Sequence, residues 1–388
     1  MSIRLQKTRQ VFLSTQSFPA DRIGSWIWRF SSVIEQSYFD FVITPKSSIA
    51  MKNATHLVPQ GQGPLGSMAS RLLGKCSLRG SALRLRFSGF TKHLEELLNT
   101  NERLVVSIAD DYKLLSAVDS YLRSRNLRSR VRIIFFLHGY DYGFESKERN
   151  AFYKSIDHLV LMTEISYRHH LNSVLSLECG VSVLKNGVDE TRFKRVDESE
   201  KSRIRQELGW SREKKYFIWL SVDRPKKGFP LIKRAWKKIS ETRKDVELVA
   251  IGVSSAASSS SMSCLGSIPN NELPRYLQAA DFYLFSTLCH EGWGLSLTEA
   301  LRCGSTCLAS AIDPVPEVLS FGKFGRLVEV PNDPNSWVSA IQEEIGKYEA
   351  NACKNPYLDN IPEDIYTLSA WKAGLREILN SVADSFEV

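Results

Sequence analysis

Nowhere in the 388 residues is there a run of ~18 uninterrupted apolar residues, the length that a membrane-spanning helix requires. The first apolar run, Val11 to Leu13, is too short for the core of a secretory leader, so the chain is expected in the cytoplasm. The seven cysteines, at positions 76, 179, 264, 289, 303, 307 and 353, are odd in number and contain no Cys-x2-Cys pair. That argues against a disulfide framework and a zinc site and leaves buried thiols as the expectation. No Asp-x-Asp stands at a strand end and the seven histidines are not spaced as ligands, so neither a metal nor another cofactor is expected. Extremes of composition are missing too. With 43% hydrophobic and 24% charged residues, the chain is neither disordered nor fibrous.

What is present is length enough for two cores and a lopsided charge. A single core rarely grows past ~250 residues, so two domains are expected. Residues 1–190 hold 25 Lys+Arg against 17 Asp+Glu, whereas residues 191–388 hold 26 of each, so the whole net charge of +8 belongs to the first half. Residues 65–92 carry Arg71, Lys75, Arg79, Arg84, Arg86 and Lys92 with no acid, interleaved with Leu72, Leu73, Leu78, Leu83, Leu85 and Phe87. Such a stretch suits an anionic membrane surface, an anionic substrate or nucleic acid, or is a solvated loop. The chain contains no recognisable nucleic-acid-binding module, and a nucleic-acid partner is not expected.

Strand and helix signals alternate along the chain, the pattern of mostly parallel sheets covered on both faces. In the first half, strands are expected at Val11 to Ser14, Phe39 to Ile43, Leu104 to Ile108, Val131 to Leu137 and Leu159 to Met162. Between two of these, residues 111–125 repeat Leu114, Leu115, Val118 and Leu122 at the helical period. In the second half, strands are expected at Tyr216 to Val222, Val246 to Ile251, Phe282 to Phe285 and Thr306 to Ala309, and a helix around Leu231, Ile232, Ala235, Trp236 and Ile239. Ser254 to Ser263 reads as a flexible loop of low complexity. The division is placed at residues 1–190 and 191–365, with a C-terminal helix in 366–388 packing back toward the first domain.

One segment carries the chemistry: Glu291-Gly292-Trp293-Gly294-Leu295-Ser296-Leu297-Thr298-Glu299-Ala300, continuing to Gly304. It follows an expected strand, turns on two glycines and opens a helix from about Ser296 to Gly304. The glycines let backbone approach a ligand closely, and the free N–H groups and positive end of the helix dipole suit a diphosphate. Gly294, Leu295 and Ser296 would supply those donors. Two carboxylates eight residues apart around such a turn restrict the reading far more than the glycines do.

Here the sequence resembles the retaining GT-B glycosyltransferases of the family-four type, glycosyl transferases group 1, whose hallmark is Glu-x7-Glu. Glu291 and Glu299 match it, with Gly292, Gly294, Ala300 and Gly304 in the pattern. Asn186-Gly187-Val188-Asp189 resembles the turn entering the second domain, and Lys227-Gly228 the Lys-Gly element. Leu265-Gly266, with Ile268 just beyond, resembles the base-binding loop. In the first half only His138-Gly139 and Gly24-Ser25 match. The resemblance implies two Rossmann-like doubly wound domains facing a central cleft, and a nucleotide-diphosphate sugar as donor. The acceptor would be a carbohydrate or lipid-linked hydroxyl in cell-surface polysaccharide, lipopolysaccharide or glycolipid synthesis, reached at the inner face of the cytoplasmic membrane.

It implies catalytic roles for Glu291, His138 and Lys227: Glu291 beside the reacting carbon, Lys227 on the diphosphate, His138 orienting sugar or acceptor across the cleft. Glu299 would hold the ribose, with Gly292, Trp293, Gly294, Leu295, Ser296, Ile268 and Gly24 also at the donor. Val222 stands where the family has an arginine five residues before the lysine; either Arg224 substitutes, or Lys227 and the helix N-terminus suffice. Related proteins on this fold epimerise nucleotide sugars or bind them without turnover, and those remain the alternatives.

Overall fold

The computed structural model describes residues 8–18, 26–59, 83, 85–101, 103–174 and 177–386. They form two compact units. The first comprises residues 1–162, 167–184 and 372–388, and the second residues 163–166 and 185–371.

The first unit is built on seven parallel strands, β1 (Thr8–Leu13), β2 (Phe41–Ile43), β3 (Thr55–Leu57), β4 (Arg103–Ala109), β5 (Val131–Phe136), β6 (His158–Leu161) and β7 (Gly180–Val183), in the order β3-β2-β1-β4-β5-β6-β7. Around them run α1 (Trp26–Ile34), α2 (Ser88–Thr100), α3 (Tyr112–Ser124) and α4 (Ser146–Lys154). The central strands are apolar runs because both faces are covered. Val11, Val106, Ile133 and Phe135 pack with Leu114, Leu115, Val118 and Leu122 of α3, while Phe12, Val105 and Ile134, on the alternate positions, are equally buried. Asp111 caps α3 by accepting a hydrogen bond from the backbone N–H of Leu114 at 2.9 Å, a contact worth about 1 kcal/mol.

After α5 (Glu164–Asn172), which starts in the second unit and ends in the first, the second unit continues with α6 (Glu198–Glu207), β8 (Lys215–Leu220), α7 (Phe229–Thr242), β9 (Val246–Ile251), β10 (Met262–Gly266), α8 (Leu273–Ala279), β11 (Phe282–Phe285), α9 (Leu295–Arg302), β12 (Thr306–Ser310), α10 (Val315–Val318), β13 (Gly325–Val328) and α11 (Pro334–Ala350). Its six strands are parallel, in the order β10-β9-β8-β11-β12-β13. Phe217 and Phe282 stack across adjacent strands, centroids 4.2 Å apart, under Trp236 of α7 and Trp337 of α11. The last helix, α12 (Leu368–Asp384), begins in the second unit and belongs to the first from Lys372 onward.

Three expectations are corrected. Val222 is not in a strand: β8 ends at Leu220, and Val222 is 65% exposed on the loop that leads to Lys227. The serine-rich stretch is not wholly a loop, because Met262 and Ser263 open β10. There the backbone does the bonding, Ser261 carbonyl accepting from Leu248 N and from the Trp236 indole. Nor are the cysteines uniformly buried; Cys264, Cys303 and Cys307 are, but Cys179 and Cys289 are half-buried and Cys353 is exposed on the turn after α11. Cys76 lies outside the described residues, as do Gly24 and Ser25 and most of 65–92. The short strands β3, β7, β10 and β13 were not anticipated; at three to five residues they carry too little alternation to be distinguished from loop.

Candidate active site

In an open parallel sheet the connections to either side of the first strand diverge, and the crevice left between the loops of the two diverging strands receives ligands. In the second unit that switch falls between β8, which is followed by β9 and β10 on one side, and β11, which opens the other. The loops after those two strands contain Lys227 and Glu291.

The two loops are stitched together. Ser286, at the end of β11, accepts from the indole of Trp219 on β8 at 2.9 Å and donates to the carbonyl of Lys227 at 2.9 Å. Leu288 N donates to the carbonyl of Lys226 at 2.8 Å. Gly228 makes the approach possible: its φ is +77°, and a Cβ there would come within 2.0 Å of the Ser286 carbonyl oxygen. Held this way, the Nζ of Lys227 lies 2.5 Å from Oε1 of Glu291, and the hydroxyl of Thr287 donates to the same oxygen at 2.6 Å. Both charged side chains keep some access to solvent, 24% for Lys227 and 17% for Glu291.

Past Glu291 the chain turns through Gly294, whose φ of +123° and ψ of 61° exclude most side chains, into α9. No side chain caps this helix. The backbone N–H groups of Leu295 and Ser296 are therefore among those that lack an intrahelical acceptor and suit an anion. Glu299 lies one turn further, 8% exposed. Gly304, with φ +90°, ends the helix as expected.

The Trp293 side chain belongs to the scaffold and not to a ligand: it is 3% exposed, its indole donates to Thr298 Oγ1 at 2.8 Å, and its ring meets Tyr366 edge-on. Only its backbone is left for a donor. Arg224 sits on the exposed rim of the β8 loop, its carbonyl accepting from Lys227 N. Ile268 is half-buried in the loop after β10.

The first unit has its own switch, between β1 and β4. There the hydroxyl of Thr15 donates to Asp111 at 2.8 Å, joining the two loops. His138 follows β5. Its backbone N–H donates to Oδ1 of Asp110 at 2.7 Å and its Nδ1 is 3.2 Å from Oδ2. The imidazole stacks on Trp26, centroids 5.2 Å apart and planes 12° apart, and meets Phe30 edge-on.

Thr287, Ser286 and Asp110 were missed by reasoning from sequence. Ser286 and Asp110 act across a gap in the chain and Thr287 within its own loop, and the one available signal was a polar residue just past a buried strand. Among the described residues no group of three or more His, Cys, Asp or Glu side chains is placed to hold a metal.

Residues 200–352 match the family model described as glycosyl transferases group 1. The chain is 25% identical over 247 residues to N-acetyl-alpha-D-glucosaminyl L-malate synthase of Bacillus anthracis, covering 60% of this chain and 63% of that one. To phosphatidyl-myo-inositol mannosyltransferase of Mycolicibacterium smegmatis it is 26% identical over 186 residues, 45% of this chain and 47% of that one. The matched segments thus span less than two thirds of these relatives' lengths. Among solved structures, sucrose-phosphate synthase from Thermosynechococcus elongatus superimposes with a TM-score of 0.70 at 14% identity, over 98% of this chain and 100% of that one. Anabaena HepE in complex with UDP superimposes with a TM-score of 0.70 at 15% identity, over 96% and 100%. The fold is GT-B, with two Rossmann-like parallel-sheet domains.

Proposed function

We propose that the protein is a retaining, metal-independent glycosyltransferase that moves a sugar from a nucleotide-diphosphate sugar to a hydroxyl of a carbohydrate or lipid-linked acceptor. The observation that carries this reading is the Lys227–Glu291 pair at the switch point beside the open N-terminus of α9. A diphosphate leaving group needs cations and N–H donors, and a sugar ring gaining positive charge needs a carboxylate. The β8 and β11 loops supply both within one hydrogen-bond length. The match of residues 200–352 to glycosyl transferases group 1 supports the same chemistry.

Lys227 neutralises charge on the leaving diphosphate, together with Leu295 and Ser296 N–H. Glu291 stabilises the oxocarbenium-like ring, and Glu299 holds the ribose. The leaving phosphate assists deprotonation of the acceptor on the face it departs from, so configuration is kept and no covalent nucleophile is required. His138 of the first unit orients a sugar hydroxyl. The names of the phosphatidyl-myo-inositol mannosyltransferases support a glycolipid acceptor, which the enzyme would meet at the inner face of the cytoplasmic membrane.

Thermal stabilisation by a panel of UDP-, GDP- and ADP-sugars tests the reading, since a donor at 100 times its Kd adds about 2.7 kcal/mol. With the donor in hand, transfer in excess chelator and the anomeric configuration of the product follow. No stabilisation by any nucleotide sugar, or an inverted product, overturns it.

A further inference from the structure

Asp110 is the residue on which the first unit's polar site is built. It follows β4 with φ +53°, in the left-handed region that costs a side chain about 1–2 kcal/mol, and its backbone N–H is tied to the carbonyl of Phe136 on β5 at 3.0 Å. That fixed backbone aims the carboxylate at the residue two beyond Phe136. Oδ1 takes the His138 backbone N–H and Oδ2 the ring, at 2.7 and 3.2 Å. The His138 side chain is 7% exposed, held between Trp26 and Phe30. Among the described residues no group bonds its other nitrogen, Nε2.

We propose that Asp110 is the positioning residue of His138, fixing the neutral imidazole as the Nδ1–H tautomer so that Nε2 meets the ligand as a hydrogen-bond acceptor. A carboxylate can only accept, so the nitrogen facing it must carry the proton and the far nitrogen keeps its lone pair. Turning the ring over would put carbon against Oδ2 and forfeit the bond. The group that the neutral ring of His138 receives is therefore an O–H or N–H donor, a sugar hydroxyl where the glycosyltransferase reading, on which this last step rests, is correct. A carboxylate or phosphoryl oxygen at that point would face a lone pair.

Asp110→Asn separates positioning from structure. The backbone amide of His138, at the shorter distance, claims the amide oxygen of the new side chain, leaving its NH2 toward Nδ1. The loop is kept while Nδ1 becomes the acceptor and Nε2 the donor.

The test is the long-range 1H–15N spectrum of the full chain with 15N-labelled histidine, recorded about two pH units above the ordinary histidine value of ~6.5. His138→Gln identifies the signal. We expect Nδ1–H in the wild type and Nε2–H in Asp110→Asn. A wild-type proton on Nε2 overturns the proposal, and this spectrum needs no variant of Asp110 to fold.

Kinetics with whichever of UDP-glucose, GDP-mannose or ADP-glucose stabilises the protein give the second readout. Asp110→Asn should lower kcat tenfold or more with little change in KM, and Asp110→Asn/His138→Ala should be no slower than His138→Ala. Additive losses would show that Asp110 acts independently of His138. Absence of binding by every nucleotide sugar of the panel would sink the glycosyltransferase reading and the hydroxyl assignment, while the spectrum still decides whether Asp110 sets the tautomer.

Discussion

Lys227 Nζ and Thr287 Oγ1 both bond Oε1 of Glu291, at 2.5 and 2.6 Å, so one carboxylate oxygen holds a cation from the β8 loop and a hydroxyl from its own loop. Without ligand the cation and the anion neutralise each other. A nucleoside diphosphate would offer Lys227 a stronger partner and draw it from Glu291, whose position Thr287 would maintain.

It follows that charge on Glu291 competes with the diphosphate. Glu291→Gln should bind the nucleoside diphosphate product as tightly as wild type or several-fold tighter, an effect on the order of 1 kcal/mol for a partly exposed ion pair. Turnover should nevertheless fall. Lys227→Ala should weaken the same ligand and lower turnover by on the order of 3 kcal/mol. Calorimetric titration with the diphosphate checks the pair: weaker binding to Glu291→Gln would mean that the carboxylate assists and does not compete.

Thr287→Val keeps the shape of the side chain and removes its hydroxyl. Lys227 and, more weakly, the Cys289 thiol at 3.9 Å still bond Oε1, so Glu291 should be less well fixed and kcat lower by about 0.5–1.5 kcal/mol, a factor of ~2 to 10. Donor affinity should hold, and Thr287→Ser should restore the rate. An unchanged kcat in Thr287→Val would show that Lys227 and Cys289 position Glu291 without it.

The sequence made some of these polar residues legible and hid others. Glycines, the helix opening and the spacing of Glu291 and Glu299 are local features, written within one turn and one helix, as are Lys227 and Gly228. Thr287 looks like an ordinary strand-end residue until the fold sets it against Glu291. Asp110 and His138 stand 28 residues apart and meet only because β4 and β5 are neighbours. The long, doubly covered strands were legible for the same local reason, and the short edge strands were not. The sequence places Trp293 in the ligand loop but does not show which way its ring turns, and its indole bonds Thr298 on the helix that follows.

A second polar network holds the opposite end of the same sheet. Asp281, 4% exposed just before β11, accepts from Lys201 at 2.8 Å, Arg205 at 2.6 Å, the Tyr348 hydroxyl at 2.6 Å and Tyr216 N at 2.9 Å. Burial alone would raise its carboxyl, but the charges of Lys201 and Arg205 and the hydrogen bonds hold it below the ordinary value. A depressed carboxyl contributes stability above its unfolded value of ~3.9 and loses it as pH falls through the folded one. Thermal denaturation should therefore show stability draining away below about pH 4. Asp281→Asn should cost about 3–5 kcal/mol at neutral pH by leaving two cations without their anion, and should flatten the acid limb. An acid limb as steep as wild type in Asp281→Asn would place the responsible carboxylate elsewhere.

The cations of 65–92 lie mostly outside the described residues, and among the described residues no helix is long and apolar enough to cross a membrane. A surface interaction is testable without their structure. Each of the six cations near an anionic leaflet contributes roughly 1 kcal/mol, screened by salt. The full chain should pellet with vesicles containing phosphatidylserine, less so at high salt, and not with phosphatidylcholine alone. Equal pelleting with both would remove the membrane from the proposal.

Glu299 provides the sharpest contrast with Glu291, because both carboxylates belong to one short segment but stand at different depths. Glu291 is in the turn, partly exposed, with its carboxylate bonded to Lys227 and Thr287. Glu299 is 8% exposed on α9, and its own carbonyl accepts from Cys303 N at 3.1 Å, so its backbone is fixed by the helix. A carboxylate fixed there can hold the two ribose hydroxyls equally in the ground state and the transition state. Its removal should then weaken donor binding by roughly 1.5–3 kcal/mol, the range for hydrogen bonds to a charged group, and leave kcat at saturation nearly unchanged. Glu291→Ala should do the reverse, lowering kcat more than it alters donor affinity, since its charge matters only as the ring becomes positive. Donor titration beside saturating kinetics on both variants decides between them. Normal turnover by Glu291→Ala at saturation, together with wild-type donor binding by Glu299→Ala, would overturn both assignments.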